Sequence, residues 1–340
     1  MTSNPVLRAA LFALAAASAA AKPVDFNRDV RPILAENCFS CHGFDEKGRK
    51  AKLRLDLAET AHAARENGTP FKPGDPAGSE AWQRILSPHA DEVMPPPESH
   101  LSLTTAQRDT IRAWIEQGAS YSKHWSFIPP VASTPPVPAD GNPAPANPID
   151  AFVRARLAPE GMKPSPETDR RTLIRRLSLD LTGLPPKPAD VDAFASDRDP
   201  RAVENLVARL LTSPHFGERL ALDWIDAARY ADTNGFSIDG GRHQWLWRDW
   251  VIQSFNDNLP YDRFLLEQIA GDLLPNRTDG QLIASGFQRN NMTTHEGGTI
   301  PEENLLNYNA DRVKTFGEAI LGLTLACAQC HDHKYDPISA

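Results

Sequence analysis

Cys38-Phe39-Ser40-Cys41-His42 is the stretch on which the reading of this chain turns. Two thiols stand three positions apart and a histidine follows at once. The pattern returns near the other end as Cys327-Ala328-Gln329-Cys330-His331, and the two copies use all four cysteines. At the chain's own residue frequencies, a given cysteine would head this arrangement by chance about once in 3,000. Two such hits with no cysteine left over set chance aside. The spacing C-x-x-C-H is that of covalent haem attachment. The thiols can add to two vinyl groups of one porphyrin, and the histidine then reaches the iron as an axial ligand that helps set its potential. Two other chemistries use the same residues. A disulfide within each pair suits an oxidising compartment but leaves both histidines unexplained. Zinc would need the two motifs to pair across nearly the whole chain. The motifs therefore imply two covalent haem c groups with their iron. Cys38, Cys41, Cys327 and Cys330 would hold them, with His42 and His331 as proximal ligands.

Upstream of the first motif, Phe26, Val30, Ile33 and Leu34 fall on one helical face, although Pro32 interrupts the early part of it. Downstream, Gly68, Pro73, Gly74 and Pro76 mark loops, and Val93-Met94-Pro95-Pro96-Pro97 cannot be helical. Thr104 and Gln107 then have capping-box spacing ahead of Ile111, Trp114 and Ile115, with Gly118 as the stop. Met94, in its rigid proline run, is the candidate sixth ligand of the first iron; a thioether there raises the potential. His89 and His100 are the nearby substitutes, and a plain packing role is the alternative for any methionine. For the second iron, His295 is the candidate distal ligand. Met292 and His243 are alternatives, and His333 lies too close to His331 in sequence to reach the opposite face of a ring. A five-coordinate iron would open that site to a small substrate.

The chain's 340 residues exceed the usual single domain. The composition, 41% hydrophobic and 24% charged, is that of a globular protein with material for two cores. A net charge of -8 and the lack of any long Lys/Arg run argue against nucleic acid as a partner. Arg8, the apolar stretch from Ala9 to Ala20 and the small residues Ala19-Ala20-Ala21 predict a signal peptide over 1–21. An uncleaved anchor is the alternative, and nothing later in the chain is long and apolar enough to span a bilayer. Export to the periplasm or beyond follows, which is where bacterial thioether bonds to haem are made.

Residues 128–148 contain eight prolines and read as an extended linker. They separate a cytochrome c-like domain, 22–127, from a second domain, 149–340. Pro148 opens a helix there. Leu173, Ile174, Leu177 and Leu181 form a stripe ended by Gly183, and Val203, Leu206, Val207, Leu210 and Leu211 form another. Further helices are predicted near 216–230, 244–257, 261–270 and 302–326, the last leading into the second motif. Period-two alternation is nearly absent, so the fold class is all-α. A polar loop from Asp232 through Asp239 to Arg242 and His243 offers carboxylates, a guanidinium and an imidazole for a substrate site, although turns use the same residues. Trp245, Trp247 and Trp250 follow; core packing is the expectation and an aromatic sugar platform the alternative.

Taken together, Phe26-Asn27-Arg28-Asp29-Val30-Arg31-Pro32-Ile33-Leu34, the first motif, Met94-Pro95-Pro96 and Trp114-Ile115-Glu116-Gln117-Gly118-Ala119 resemble a planctomycete-type cytochrome c domain. From about 149 onward the chain resembles the helical domain of unknown function that accompanies it in large secreted proteins. Leu179-Asp180-Leu181-Thr182-Gly183-Leu184-Pro185, Arg248-Asp249-Trp250-Val251, Leu259-Pro260-Tyr261-Asp262, Ala270-Gly271-Asp272-Leu273-Leu274-Pro275, Glu296-Gly297-Gly298 and the run Cys327 to Pro337 carry that likeness. The resemblance implies a haem at each motif and a further C-terminal domain beyond Ala340. It supplies no reaction. Three classes of function follow from the residues: electron transfer with a redox partner protein or that missing domain, a di-haem peroxidase-like oxidoreductase with one open iron, and an extracellular binding protein for a polysaccharide or other substrate with structural metal sites.

Overall fold

The computed structural model describes residues 23–139, 143, 145, 147–236, 238–334, 336 and 338–340; the predicted signal peptide lies outside them. The described chain divides into two compact units. One runs to Pro130 and also takes in Asp332–Ser339; the other is Val131–His331. Among the described residues both are helical, with isolated bridges and no strand. Residues 128–138 of the proline-containing linker have no regular structure, and 128–135 are exposed.

The first unit starts with a π-turn, Phe26–Val30, capped by the Asp25 carboxylate, which accepts from the Arg28 amide. It leads into α1 (Arg31–Asn37) and then α2 (Phe39–His42), a single turn. Pro32 sits in the first turn of α1, where a missing N–H costs nothing. That is why it displaces the helix start without breaking the apolar face. Two short helices follow, α3 (Ala58–Ala61) and α4 (Glu80–Leu86), and then α5 (Thr105–Glu116). Both halves of the capping box form on α5: the Gln107 amide donates to Thr104 Oγ1 at 3.2 Å and the Thr104 amide to Gln107 Oε1 at 2.8 Å. Gly118 ends the helix at φ 101°, a conformation that favours glycine. Ile111, Trp114 and Ile115 are buried against Phe26, Leu34 and Phe71. The Trp114 indole N–H is satisfied by the Ser120 carbonyl at 3.0 Å, as a buried indole requires.

The second unit contains α6 (Pro148–Leu157), α7 (Arg170–Thr182), α8 (Pro188–Ser196), α9 (Ala202–Leu211), α10 (Pro214–Ala227), α11 (Trp245–Asn256), α12 (Tyr261–Ala270), α13 (Asp279–Ala284) and α14 (Pro301–Phe316). Asp169 caps α7, and Gly183 closes it at φ 69°. Its stripe packs with α8 and α9 around Ile174, Phe194, Ala202 and Leu206. The larger core gathers Ala221, Trp247, Val251, Phe264 and Phe287. Here α10 and α11 approach closely because position 217 lacks a side chain. A Cβ there would sit 2.3 Å from the Ile252 carbonyl, and the Gly217 amide donates to Asn256 Oδ1 at 2.8 Å.

One predicted helix is shorter than the pattern suggested. The 302–326 stretch stops as α14 at Phe316, turns once as a π-turn over Gly317–Leu321 and ends at Gly322, φ 64°. The cause is contact: a Cβ on Gly317 would lie 2.3 Å from Leu325 Cγ, so the chain folds back onto the helix end. The second motif accordingly sits on a separate 3-10 turn, Leu325–Gln329.

Two substitutions test these supports. Thr104→Ala is expected to lower the stability of the first unit by about 1 kcal/mol. Gly217→Ala is expected to lower that of the second by about 1–3 kcal/mol through overpacking. Thermal or denaturant unfolding of the full chain reads both.

Candidate functional site

The first motif is shaped by its own backbone. The Cys38 amide finishes α1 by donating to Leu34 O at 2.8 Å. The amides of Cys41 and His42 then both donate to Cys38 O, at 3.2 and 2.8 Å. This one-turn helix puts the two half-buried thiols and the imidazole around a single face, while buried Phe39 anchors the other. The following loop returns to lock it. The Lys50 amide donates to Cys41 O and the Leu55 amide to His42 O, each at 2.7 Å. Arg49 braces the exit through the carbonyls of Gly43 and Phe44.

The motif opens into a cavity of about 1,010 Å³, at the upper end of the ~300–1,000 Å³ usual for small-molecule and cofactor sites. Cys38, Cys41, His42 and Met94 all line it, with Leu53, Leu55, Phe71 and Ile85 among its apolar walls. Met94 is held by its own amide, which donates to Arg84 O at 3.1 Å, and a cis bond joins it to Pro95. His89 and His100 are not part of the wall. His42 Nδ1 is buried with no hydrogen-bond partner. A histidine kept only for packing would normally have one. Burial holds its pKa below the ordinary value, with the Lys50 backbone opposing and the Arg65 and Arg84 charges adding to the fall. A lowered pKa favours the neutral ring, the form that binds metal. Size, two thiols, an imidazole with an unpartnered buried nitrogen and a thioether in one largely apolar cavity fit a haem c.

The second motif repeats the local turn. The amides of Cys330 and His331 both donate to Cys327 O, at 3.3 and 3.2 Å. Its surroundings differ, since both cysteines and His331 are exposed. His295 is placed elsewhere in the second unit, on the strand-like run that docks against the 232–243 loop, with Asn234 Nδ2 3.2 Å from its Nδ1. Met292 packs on Gly235 in the same knot, and His243 is exposed. His333 belongs to the first unit, where its Nδ1 accepts from the Asp336 amide at 2.9 Å. The structure thus brings Met94 together with the first motif, and puts His295 on a different segment from the turn that carries the second.

In the polar 232–243 loop Arg242 and Asp239 are engaged in holding the backbone. Arg242 donates to the carbonyls of Ala231, Asn290 and Asn291. Asp239 accepts the Gly235 amide at 2.7 Å, which holds its carboxyl below the usual range. The tryptophans form no platform. Trp247 is buried beside Tyr230, Trp250 stacks on Phe264 at 5.5 Å, and Trp245 is 46% exposed. Two further features carried no signal in the sequence. Arg65 and Arg84 join the cavity wall. The segment after the second motif also folds into the first unit, with His124 Nε2 3.0 Å from Asp336 Oδ1 and Lys334 Nζ 3.6 Å from Glu36 Oε1. Among the described residues, no three His, Cys, Asp or Glu side chains converge as an ion site, and no helix is long and apolar enough to cross a membrane.

Comparison with known families agrees with this division. Residues 38–98 match the family described as Planctomycete cytochrome C, a span that begins at Cys38 and encloses Met94. Residues 148–340, more than half of the chain, match the family described as Protein of unknown function (DUF1549). No curated protein and no solved structure matches.

Burial pushes the Cys38 thiol up to about 12, with Cys41 adding in the same direction. The thiolate is the reactive form. In haem-free protein at neutral pH, Cys38 is therefore expected to alkylate at least about a hundredfold more slowly than in an unfolded peptide of the same motif. Its rate should keep rising with pH beyond 9. Site-resolved mass spectrometry measures this.

Proposed function

Because the chain belongs to the DUF1549 family and carries a planctomycete cytochrome C domain ahead of that region, we propose that it is an exported di-haem electron-transfer protein. The observation that carries the proposal is the single cavity shared by Cys38, Cys41, His42 and Met94. In this reading Cys38 and Cys41 form the thioether bonds, His42 is the proximal ligand and Met94 the distal one. When bound, the haem supplies reversible one-electron chemistry at iron. The protein contributes the rest. The clamped turn fixes the imidazole, and the chain around Pro95 fixes the thioether. The apolar walls exclude water from the iron and favour the reduced state, as the thioether does.

The second motif is assigned a second haem on the same chemistry, with Cys327 and Cys330 as attachment points and His331 as proximal ligand. Its support is the repeated backbone turn, in which both amides return to the first cysteine's carbonyl as they do at Cys38. His295 remains the proposed distal partner. The organisation that goes with this is a signal peptide over 1–21, a cytochrome c-like domain over 22–127, a linker over 128–148 and a helical domain over 149–340. The place of action is the periplasm or the extracellular space, and the partner a redox protein or a further domain.

Two variants test the assignment. Cys327→Ser with Cys330→Ser is expected to reduce the covalent haem content from two per chain to one, counted by denatured haemochrome spectra. An unchanged count of one in parent and variant would remove the second site. Met94→Ala is expected to leave the first haem attached but open its iron to added cyanide or imidazole. A spectrum that neither changes nor responds to those ligands would assign the sixth position to another residue.

A further inference from the structure

The first cavity is largely apolar, yet beside four carboxylates (Glu66, Glu80, Asp91 and Glu98) three cations line it: Lys50, Arg65 and Arg84. They are not equivalent. Arg84 is paired on its own helix, with Nε 3.0 Å from Glu80 Oε1. Lys50 is exposed to solvent. Arg65 is half-buried, and among the described residues its guanidinium meets only carbonyl oxygens, Ala51 O at 2.5 Å and Lys52 O at 3.4 Å. Among the described residues no carboxylate compensates its charge. It also keeps N–H donors unused, in a fork whose geometry matches a carboxylate.

The side chain is held in place from two directions. Arg65 and Gly68 exchange both amide–carbonyl hydrogen bonds, each at 3.1 Å, which fixes the backbone that carries the side chain. At the other end the guanidinium grips the turn at 50–52, which returns to the first motif. In that turn Ala51 and Lys52 are both left-handed, at φ 53° and 50°, an unusual pairing for two residues with side chains. Strain of this kind persists only where the surroundings impose it, and it gathers at functional sites. The same turn begins with the Lys50 amide that clamps Cys41 O. Arg65 therefore stands on the rim of the cavity, tied to the motif by one residue of backbone, with its charge felt at the His42 ring.

We propose that Arg65 is the cavity's carboxylate receptor: it pairs with a propionate of the haem bound at Cys38 and Cys41, and so holds that iron's potential up. This rests on the reading of the cavity as a haem site. A haem is a dianion at its propionate edge, and the unpaired half-buried guanidinium is the group that lacks such a partner. Pairing there withdraws negative charge from the iron's surroundings, which disfavours the ferric state relative to the ferrous one.

The test is spectroelectrochemistry of the full haem-loaded chain. Arg65→Gln is expected to lower one component of the titration by about tenfold in the equilibrium constant against a fixed mediator, ~59 mV for one electron, and to leave any second component in place. Arg65→Lys keeps the charge and is expected to recover at least half of the shift. An Arg65→Gln protein unshifted within twofold overturns the proposal. So does an Arg65→Lys protein shifted as far as Arg65→Gln, since the charge at position 65 would then not set the potential. If Arg65→Gln takes up no haem at the first motif, loading of Arg65→Lys decides: normal loading supports the pairing and failed loading overturns it. A parent chain with no haem at Cys38 and Cys41 refutes the cavity assignment instead, so the two failures are distinct.

Discussion

Two main-chain hydrogen bonds, from the Lys50 amide to Cys41 O and from the Leu55 amide to His42 O, hold the turn on which the first unit is organised. A one-turn helix has little stability of its own. Here it is finished on one side by α1, which ends at the Cys38 amide, and on the other by the returning loop. Because the turn is fixed, the thiols three positions apart and the imidazole are presented to one volume rather than to three. The apolar walls, Met94 and the Arg65 rim are then positioned relative to that presentation. The buried aromatic core around Phe26, Phe71 and Trp114 supplies the rigidity behind it.

The second motif shows the same turn in a different setting. Its amides close on Cys327 O as the first pair closes on Cys38 O, so the local geometry follows from the five residues themselves. What those residues do not provide is enclosure. The first motif is enclosed because segments up to sixty residues away in sequence return to it, from Leu53 to Leu101. The second lies on an exposed turn that Gly317 and Gly322 detach from the end of α14. Two copies of one motif thus share a backbone turn and differ in how far the protein encloses them.

Local features were legible in the sequence. The capping box at Thr104 and Gln107, the Gly118 and Gly183 stops, and the stripes of α5, α7 and α9 all depend on residues within one or two turns of each other. Met94 lies on the cavity wall, where the prolines that follow it restrict the course of the backbone. Features built from distant segments were not legible. Nothing near Arg65 in the sequence announces that its guanidinium meets Ala51 and Lys52. Nothing near Asp336 announces His124, and nothing near Gly217 announces the carbonyl of Ile252. The polar loop from Asp232 to His243 reads as a site by composition. Arg242 and Asn234 instead hold the loop to residues 289–295, a use that composition alone cannot separate from catalysis. The 302–326 helix failed for a related reason: its apolar pattern continues past Phe316, but contact with Leu325 turns the chain back.

The most direct test of the central claim is peptide mapping by mass spectrometry of the full chain, produced in cells that export it and attach haem. The peptide that spans Cys38 to His42 is expected to carry one haem through two thioether bonds, with neither thiol open to alkylation. Recovery of that peptide with both thiols free, or joined as a disulfide, from cells that load a control cytochrome would contradict the account at its foundation.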